Sequence, residues 1–187
     1  MPNSCEENEI AKYRLSIAPM MDCTDRHFRV LMRQITQRSL LYTEMIVAQA
    51  LHYSKNRNKL LDFDEIEHPI SIQLGGDDPN LLAEAAQMAE DWGYDEINLN
   101  VGCPSPKVKL GNFGACLMGE PKIVANCIET MKKSCNIPIT VKHRLGIDNL
   151  DSDDYLIQFV ESCSIAGADR FIVHARKAWL NGLNPKE

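Results

Sequence analysis

Two stretches, Gly93-Tyr-Asp95-Glu-Ile97-Asn-Leu99-Asn100 and Gly167-Ala-Asp169-Arg-Phe171-Ile-Val173-His174, run in step. Each has a glycine that can stop a helix, then an aspartate, then an alternating apolar strand that ends on a polar residue. Working outward, apolar runs of strand length recur at residues 15–20, 40–45, 70–74, 96–101, 139–142 and 171–174. Their β-branched, apolar character predicts strands buried on both faces. Helical patterns lie between them. Thr24 is placed to cap the first, with Asp25 in its first turn. Asp78-Pro79 opens another, with Leu81, Leu82, Ala85, Met88, Ala89 and Trp92 on one face and Gly93 as its stop. A helix from near Pro121 is predicted to bury Ile123, Val124, Cys127, Ile128 and Met131, and one from near Ser152 to bury Tyr155, Leu156, Phe159, Val160 and Cys163.

Strand and helix alternate, which implies an α/β protein with a parallel sheet. A doubly wound nucleotide fold wants a glycine fingerprint after an early strand, and Ala18-Pro19-Met20-Met21 stands there instead. Polar residues fall at or near the strand ends: Glu44, Gln73, Asn100, Lys142 and His174. That is how a (β/α)8 barrel, the TIM barrel, builds an active site, with one or two residues from each of several strands at the carboxyl rim. A whole barrel takes about 250 residues. The reading is therefore a polar segment over 1–12, then barrel units one to six over 13–187, with units seven and eight outside the chain.

Of 187 residues, 44% are hydrophobic and 25% charged, enough apolar material for one core. The acidic, polar start does not read as a signal peptide, and no apolar run is long enough for a membrane span, so a cytoplasmic location is expected. The net charge of −6 speaks against a uniformly basic RNA-binding surface. It leaves room for a local one: no acidic residue lies between Glu96 and Glu120, where Lys107 and Lys109 fall, and Lys55, Arg57 and Lys59 form a second basic run. Either run also fits an ordinary solvated surface. The seven cysteines form no Cys-x-x-Cys pair, which argues against structural zinc, and no metal is expected. Most are expected to be small buried hydrophobes.

The sharpest feature is Ile97-Asn-Leu-Asn-Val-Gly-Cys103-Pro104-Ser-Pro, followed by Gly111-Asn-Phe-Gly114-Ala115. It sets one thiol in a tight turn at the barrel mouth. The segment resembles the signature of the tRNA-dihydrouridine synthases, Asn-x-Gly-Cys-Pro with a downstream Gly-Ala/Ser. Five further stretches carry the resemblance: Ala18-Pro19-Met20 with Thr24-Asp25-Arg26, Ile72-Gln73-Leu74-Gly75, Val141-Lys142-His-Arg144-Leu-Gly146, Val173-His174-Ala-Arg176, and a tail, His174 to Glu187, similar to the A subfamily. Together they cover roughly residues 13 to 187.

The resemblance implies an FMN barrel that uses NADPH to reduce the C5–C6 double bond of uridine in tRNA, at uridine 20 and its neighbour in the D-loop. Hydride goes from the flavin to C6, and a proton goes from a cysteine, here Cys103, to C5. A free thiol has a pKa of about 8.5, so at neutral pH it is mostly protonated and able to act as an acid. By the same resemblance Pro19, Met20 and Met21 line the flavin, Gln73 bonds its isoalloxazine edge, Lys142 stands by its N1 and O2, and His174 also touches it. Asn100 faces the uridine, and Lys186 matches a tRNA-contacting position. The helical domain with which the family grips tRNA lies outside the chain. Arg144 and Arg176 fit phosphate or RNA contacts and ion pairs equally well. Two rivals remain: an FMN barrel acting on a free pyrimidine, such as a dihydroorotate or dihydropyrimidine dehydrogenase, and a non-catalytic fragment that binds RNA or a partner chain. The six units alone are expected to lack tight FMN and tRNA-reducing activity, because the usual phosphate cradle follows strands seven and eight.

Overall fold

The computed structural model describes residues 13–180. Six strands, β1 (Ser16–Ile17), β2 (Leu40–Val47), β3 (Ile70–Gly75), β4 (Glu96–Val101), β5 (Ile139–Arg144) and β6 (Arg170–His174), form one sheet in sequential order. Every pairing is parallel. Sequential order with helical returns is singly wound, the topology of a (β/α)8 barrel, and six of its units are present. β1 is shorter than the sequence suggests, since Pro19 has no backbone donor to extend a ladder.

The returns are α1 (Arg26–Ile35), α4 (Pro79–Asp91), α6 (Pro121–Ser134) and α7 (Asp153–Ile165). Between β2 and β3 the chain makes α2 (Ala48–Tyr53), α3 (Asn58–Leu61) and a 3-10 turn (Glu65–Glu67) instead of one helix. A short α5 (Pro106–Leu110) and a 3-10 turn (Gly114–Gly119) are inserted after β4. Asp78 caps α4 through the Asn80 and Leu81 amides with Pro79 in the first turn, and Ser152 caps α7 through Tyr155 N. The cap of α1 is Asp25, whose carboxylate accepts from Phe28 N at 2.8 Å. Thr24 closes the preceding loop instead: its hydroxyl accepts from Met20 N at 3.0 Å and donates to Met20 O at 3.1 Å.

One face of the strands is apolar and packs on the helices. Ile72, Leu74, Ile97, Leu99, Val101, Ile139 and Val141 share a core with Leu82, Ala85, Ala89, Val124, Cys127, Ile128, Met131, Phe159 and Cys163. Ile123, expected on that face, points outward and is 39% exposed. Only β3 and β4 are buried on both faces throughout; β2 and β5 are so in part, β1 and β6 are not, and the second face is polar. Tyr42, Ser71, Gln73, Glu96, Asn98, Asn100 and Thr140 are all buried there. Helix α1 is unusual in burying Arg29 and Arg33; the Arg33 guanidinium donates to the carbonyls of Thr36, Ser39, Glu67 and Pro69. Of the six described cysteines only Cys127, Cys135 and Cys163 are buried; Cys103 and Cys116 are half-buried and Cys23 is exposed.

The repeated Gly-x-Asp has a structural meaning. After each helix stop the aspartate reaches back to the first residue of the preceding strand. Asp95 N donates to Ile70 O (3.1 Å) while its carboxylate accepts from Ile70 N (2.6 Å) and meets His68 Nδ1 (2.7 Å). Asp169 N donates to Ile139 O (2.8 Å) while its carboxylate accepts from Ile139 N (2.7 Å) and Lys132 Nζ (3.0 Å). Each aspartate thereby pins two neighbouring strands at their amino ends. Asp95→Ala leaves the Ile70 amide without its partner, and stability is expected to fall by about 1–3 kcal/mol. Urea unfolding checks this, with Asp95→Asn expected to lose less; an unchanged midpoint would show that the pin is idle.

Candidate functional site

The carboxyl rim begins with the loop after β1, which carries Pro19, Met20 and Met21. Thr24, fully buried, knots the loop onto Met20. Asp22 adopts a left-handed φ of 61° and donates its amide to Glu44 Oε1 at 2.6 Å. The loop is thus tied to β2, and Met20 and Met21 stay exposed beside a concavity of about 570 Å³ that Met21, Arg26, Glu44, Lys59 and Asp62 help to line.

Next comes an irregularity in the sheet. The register slips between Tyr42 and Met45, so β2 carries one extra residue against β3. Such bulges re-aim side chains beside functional sites. Thr43 fills the gap: its hydroxyl accepts from Gln73 N at 3.0 Å and donates to Glu44 O at 2.7 Å. Gln73 is therefore held by main chain as well as side chain.

From Gln73 a continuous set of side-chain bonds crosses the sheet. Asn100 Nδ2 donates to Gln73 Oε1 (2.8 Å), and Gln73 Nε2 donates to Asn98 Oδ1 (2.7 Å). Asn98 Nδ2 donates to Thr140 Oγ1 (2.9 Å), and Thr140 Oγ1 donates to Glu96 Oε1 (2.9 Å). Glu96 also accepts from Tyr42 Oη and Ser71 Oγ (both 3.2 Å) and from Arg170 Nη2 (2.5 Å). Burial and the Glu96 charge push the Tyr42 phenol up. Burial would lower Arg170, but Glu96 and Tyr42 more than offset that and raise it.

In the other direction Asn100 Oδ1 accepts from Gly102 N (3.1 Å) and Cys103 N (3.0 Å), which bends the chain at the end of β4 and sets the Cys103 thiol at the rim. Cys103 O in turn accepts from Ala115 N at 2.9 Å. Gly114 allows that approach: its φ is +74°, and a Cβ there would lie 2.6 Å from Cys103 O and 2.4 Å from Val108 Cγ1.

The far side of the rim is cationic. Lys142 is the register partner of Asn100, and Arg144 that of His174. Arg144 Nε donates to Gly102 O at 2.9 Å, which ties β5 to the Cys103 turn. Burial lowers the Lys142 ammonium, Arg144 lowers it further, and Cys103 opposes them. No hydrogen bond or ion pair to Lys142 occurs among the described residues. His174 is also lowered, by burial and then by Arg144, Lys142 and Arg176, so its neutral form is favoured. The loops after β5 and β6 are laced together by Asp148 N to Ala178 O (3.0 Å) and Ala178 N to Gly146 O (2.9 Å), and Lys177 lies 3.9 Å from the Trp179 ring centre.

Of the residues singled out from sequence, Gln73, Asn100, Cys103, Lys142 and His174 come together, and Pro19, Met20 and Met21 reach the same rim through Glu44. Lys186 lies outside the described residues. Lys107 is exposed; Lys109 Nζ donates to Leu180 O (3.1 Å), and Arg57 is held by the carbonyls of Leu51 and His52. Sequence reasoning missed Thr43, Glu96, Asn98, Thr140 and Arg170. Their signal was the polar alternation in Glu96-Ile-Asn98-Leu-Asn100, which marks one strand face as hydrophilic.

A family model described as dihydrouridine synthase (Dus) matches residues 16–184. A tRNA-dihydrouridine(20/20a) synthase of Synechocystis sp. is 62% identical over 173 residues, 92% of this chain and 52% of the relative. Proteins of the same description from Xanthomonas axonopodis and Escherichia coli O6:H1 are 55% and 53% identical, over 95% and 94% of this chain and 53% of each relative. The chain thus spans about half the length of the curated relatives it matches. Among solved structures, the carboxyl transferase domain of Rhizobium etli pyruvate carboxylase superposes with a TM-score of 0.50 at 14% identity, over 82% of this chain and 23% of that one, a likeness of fold alone.

Gly114→Ala must strain a left-handed residue and push against Cys103 O. A loss of about 1 kcal/mol or more is expected, together with changed alkylation of Cys103. Peptide-mapped reaction with iodoacetamide checks this; wild-type stability and wild-type Cys103 reactivity would refute the role given to Gly114.

Proposed function

Because the chain belongs to the dihydrouridine synthase family, we propose that its rim is the flavin- and uridine-facing part of a tRNA-dihydrouridine synthase acting at uridines 20 and 20a. The observation that carries this reading is Lys142: a half-buried ammonium without an anionic partner among the described residues, close to the Cys103 thiol at the rim. A desolvated cation of that kind suits a ligand on which negative charge develops. When bound and reduced by NADPH, FMN would supply the hydride that adds to C6 of the uracil ring.

The chain's own residues supply the rest. Cys103 holds a proton at Sγ, and its delivery to C5 completes the saturation of the C5–C6 bond. Asn100 fixes the Cys103 backbone and keeps one N–H for the uracil edge. Gln73 spends one donor and one acceptor on its neighbours, which leaves one N–H and one lone pair for an amide-like edge such as that of the isoalloxazine. Lys142 would hold the N1 and O2 side of the flavin, with His174 as a neutral hydrogen-bonding neighbour, and Pro19, Met20 and Met21 would close the apolar side. The cluster Lys142, Arg144 and Arg176 gives an acidic protein a local positive rim toward RNA phosphate. Lys186 is assigned to tRNA contact, and the protein is placed in the cytoplasm, where tRNA is.

Cys103→Ala in the full-length protein is expected to retain FMN and its reduction by NADPH but to form dihydrouridine roughly 10²-fold more slowly or worse. Mass spectrometry of tRNA checks this, with free uracil as the competing substrate: near-normal turnover would remove Cys103 from the mechanism, and activity on uracil but not tRNA would remove tRNA. Lys142→Ala is expected to weaken FMN binding and to lower the flavin potential, since a cation by N1 favours the anionic reduced form. A redox titration with unchanged content and potential would show that the lysine serves elsewhere.

A further inference from the structure

We propose that Glu96 is a positioning residue of the site: through Thr140 and Asn98 it holds the amides of Gln73 and Asn100 in the sense that the Gly102 and Cys103 amides require at the rim. The inference rests on the reading of those two amides as ligand-facing.

A primary amide has nearly the same shape either way round, so packing alone does not choose between its oxygen and its nitrogen. The five bonds that link Cys103, Asn100, Gln73, Asn98, Thr140 and Glu96 all run one way, each group donating to the next, toward the carboxylate. A carboxylate paired with a guanidinium can only accept. Thr140 must therefore give Glu96 its one proton, which turns the hydroxyl lone pairs to Asn98. Asn98 must then present its NH2 to Thr140 and its oxygen to Gln73. Gln73 must present nitrogen to Asn98 and oxygen to Asn100, and Asn100 is left with its oxygen toward the Gly102 and Cys103 amides. Thr140 Oγ1 also lies 3.2 Å from Ile97 O, a longer contact than the 2.9 Å to Glu96, so the carboxylate is the stronger acceptor. Each relay side chain is at most 8% exposed, so water does not compete. The relay is thus held from both ends, by the Glu96 carboxylate on the floor of the barrel and by the Gly102 and Cys103 amides, which can only donate, at the rim.

Reversing one amide would set two oxygens or two NH2 groups face to face, and reversing all of them would turn the Asn100 NH2 onto the Gly102 and Cys103 donors, so loss of the floor acceptor loosens the whole relay rather than inverting it. Glu96→Gln keeps the shape but removes the charged acceptor at the floor, so the relay's sense then rests on the Gly102 and Cys103 amides alone. Thr140→Val cuts the relay and keeps the Glu96–Arg170 pair. Thr140→Ser keeps the hydroxyl.

The experiment is ¹H–¹⁵N NMR of the ligand-free protein. In Thr140→Val the side-chain NH2 signals of Asn98, Gln73 and Asn100 are expected to move together. The backbone amides of Gly102 and Cys103 are expected to exchange roughly 5- to 10-fold faster, the equivalent of one weakened neutral hydrogen bond of about 1 kcal/mol. Thr140→Ser should restore all five signals, and Glu96→Gln should behave like Thr140→Val. If Glu96→Gln does not fold, the valine–serine pair decides alone. Shifts confined to Asn98, with Gln73, Asn100 and Cys103 unmoved, overturn the proposal, as does a serine variant that fails to restore them. FMN added to the full-length wild-type protein tests the ligand-facing reading separately: unshifted Gln73 and Asn100 signals would sink that reading without touching the relay.

Discussion

A carboxylate buried in a barrel of parallel strands must be met by donors, because an unpaired charge in that surrounding costs several kcal/mol. Glu96 is 1% exposed, and four strands answer it: Tyr42 from β2, Ser71 from β3, Thr140 from β5 and Arg170 from β6. An apolar interior would leave the charge unmatched, so the strand residues on that face must be polar. Everything above Glu96, from Asn98 to the Cys103 turn, builds on that requirement. The apolar residues are released to the opposite face, where they pack on the helices and supply the hydrophobic stabilisation.

The division between faces explains how one short strand serves both stability and chemistry. In β4, Ile97, Leu99 and Val101 belong to the helix-facing core, while Glu96, Asn98 and Asn100 line the interior. The strand rises about 3.3 Å per residue, so alternate residues carry the hydrogen-bonded system from floor to rim in two steps. Rim residues placed in this way inherit the rigidity of the sheet, which preorganised polar groups require. The loops contribute what strands cannot: the Asp22 tether that carries Met20 and Met21, and the Gly114 contact that backs the Cys103 turn.

Much of this could be read directly. Most strand positions, the Asp78 cap, the helix start near Ser152, and the convergence of Gln73, Asn100, Cys103, Lys142 and His174 follow from local chemistry: periodicity, capping residues, polar strand ends, and a thiol set between glycine and proline. Most of what was illegible depends on partners far away in the chain. Thr24 and Asp25 are both good caps, and the choice is local but turns on loop geometry, since Thr24 is used to close the loop onto Met20 four residues back. Ile123 has the right spacing for burial and is nonetheless 39% exposed. The bulge at Thr43 appears only when β2 is laid against β3. Arg29 and Arg33 look like the solvated side of a helix until the Glu67 carboxylate is brought to the first and the carbonyls of Ser39, Glu67 and Pro69 to the second. Arg170, directly after the Asp169 pin, reads as a surface residue until Glu96 is brought beneath it.

The Glu96 cluster also bears on time. Its members are far apart along the chain, and the Tyr42–Arg170 contact spans 128 residues. Closing such distances is slow, since loop entropy is lost before any contact compensates. Until β6 arrives, Glu96 lacks its guanidinium, and water must remain around it. The floor of the barrel therefore forms late, when the last of these strands docks and the water leaves. A nascent chain would hold a formed helix-facing core while its interior was still wet. The site residues would acquire their final orientation in the step that dries the interior.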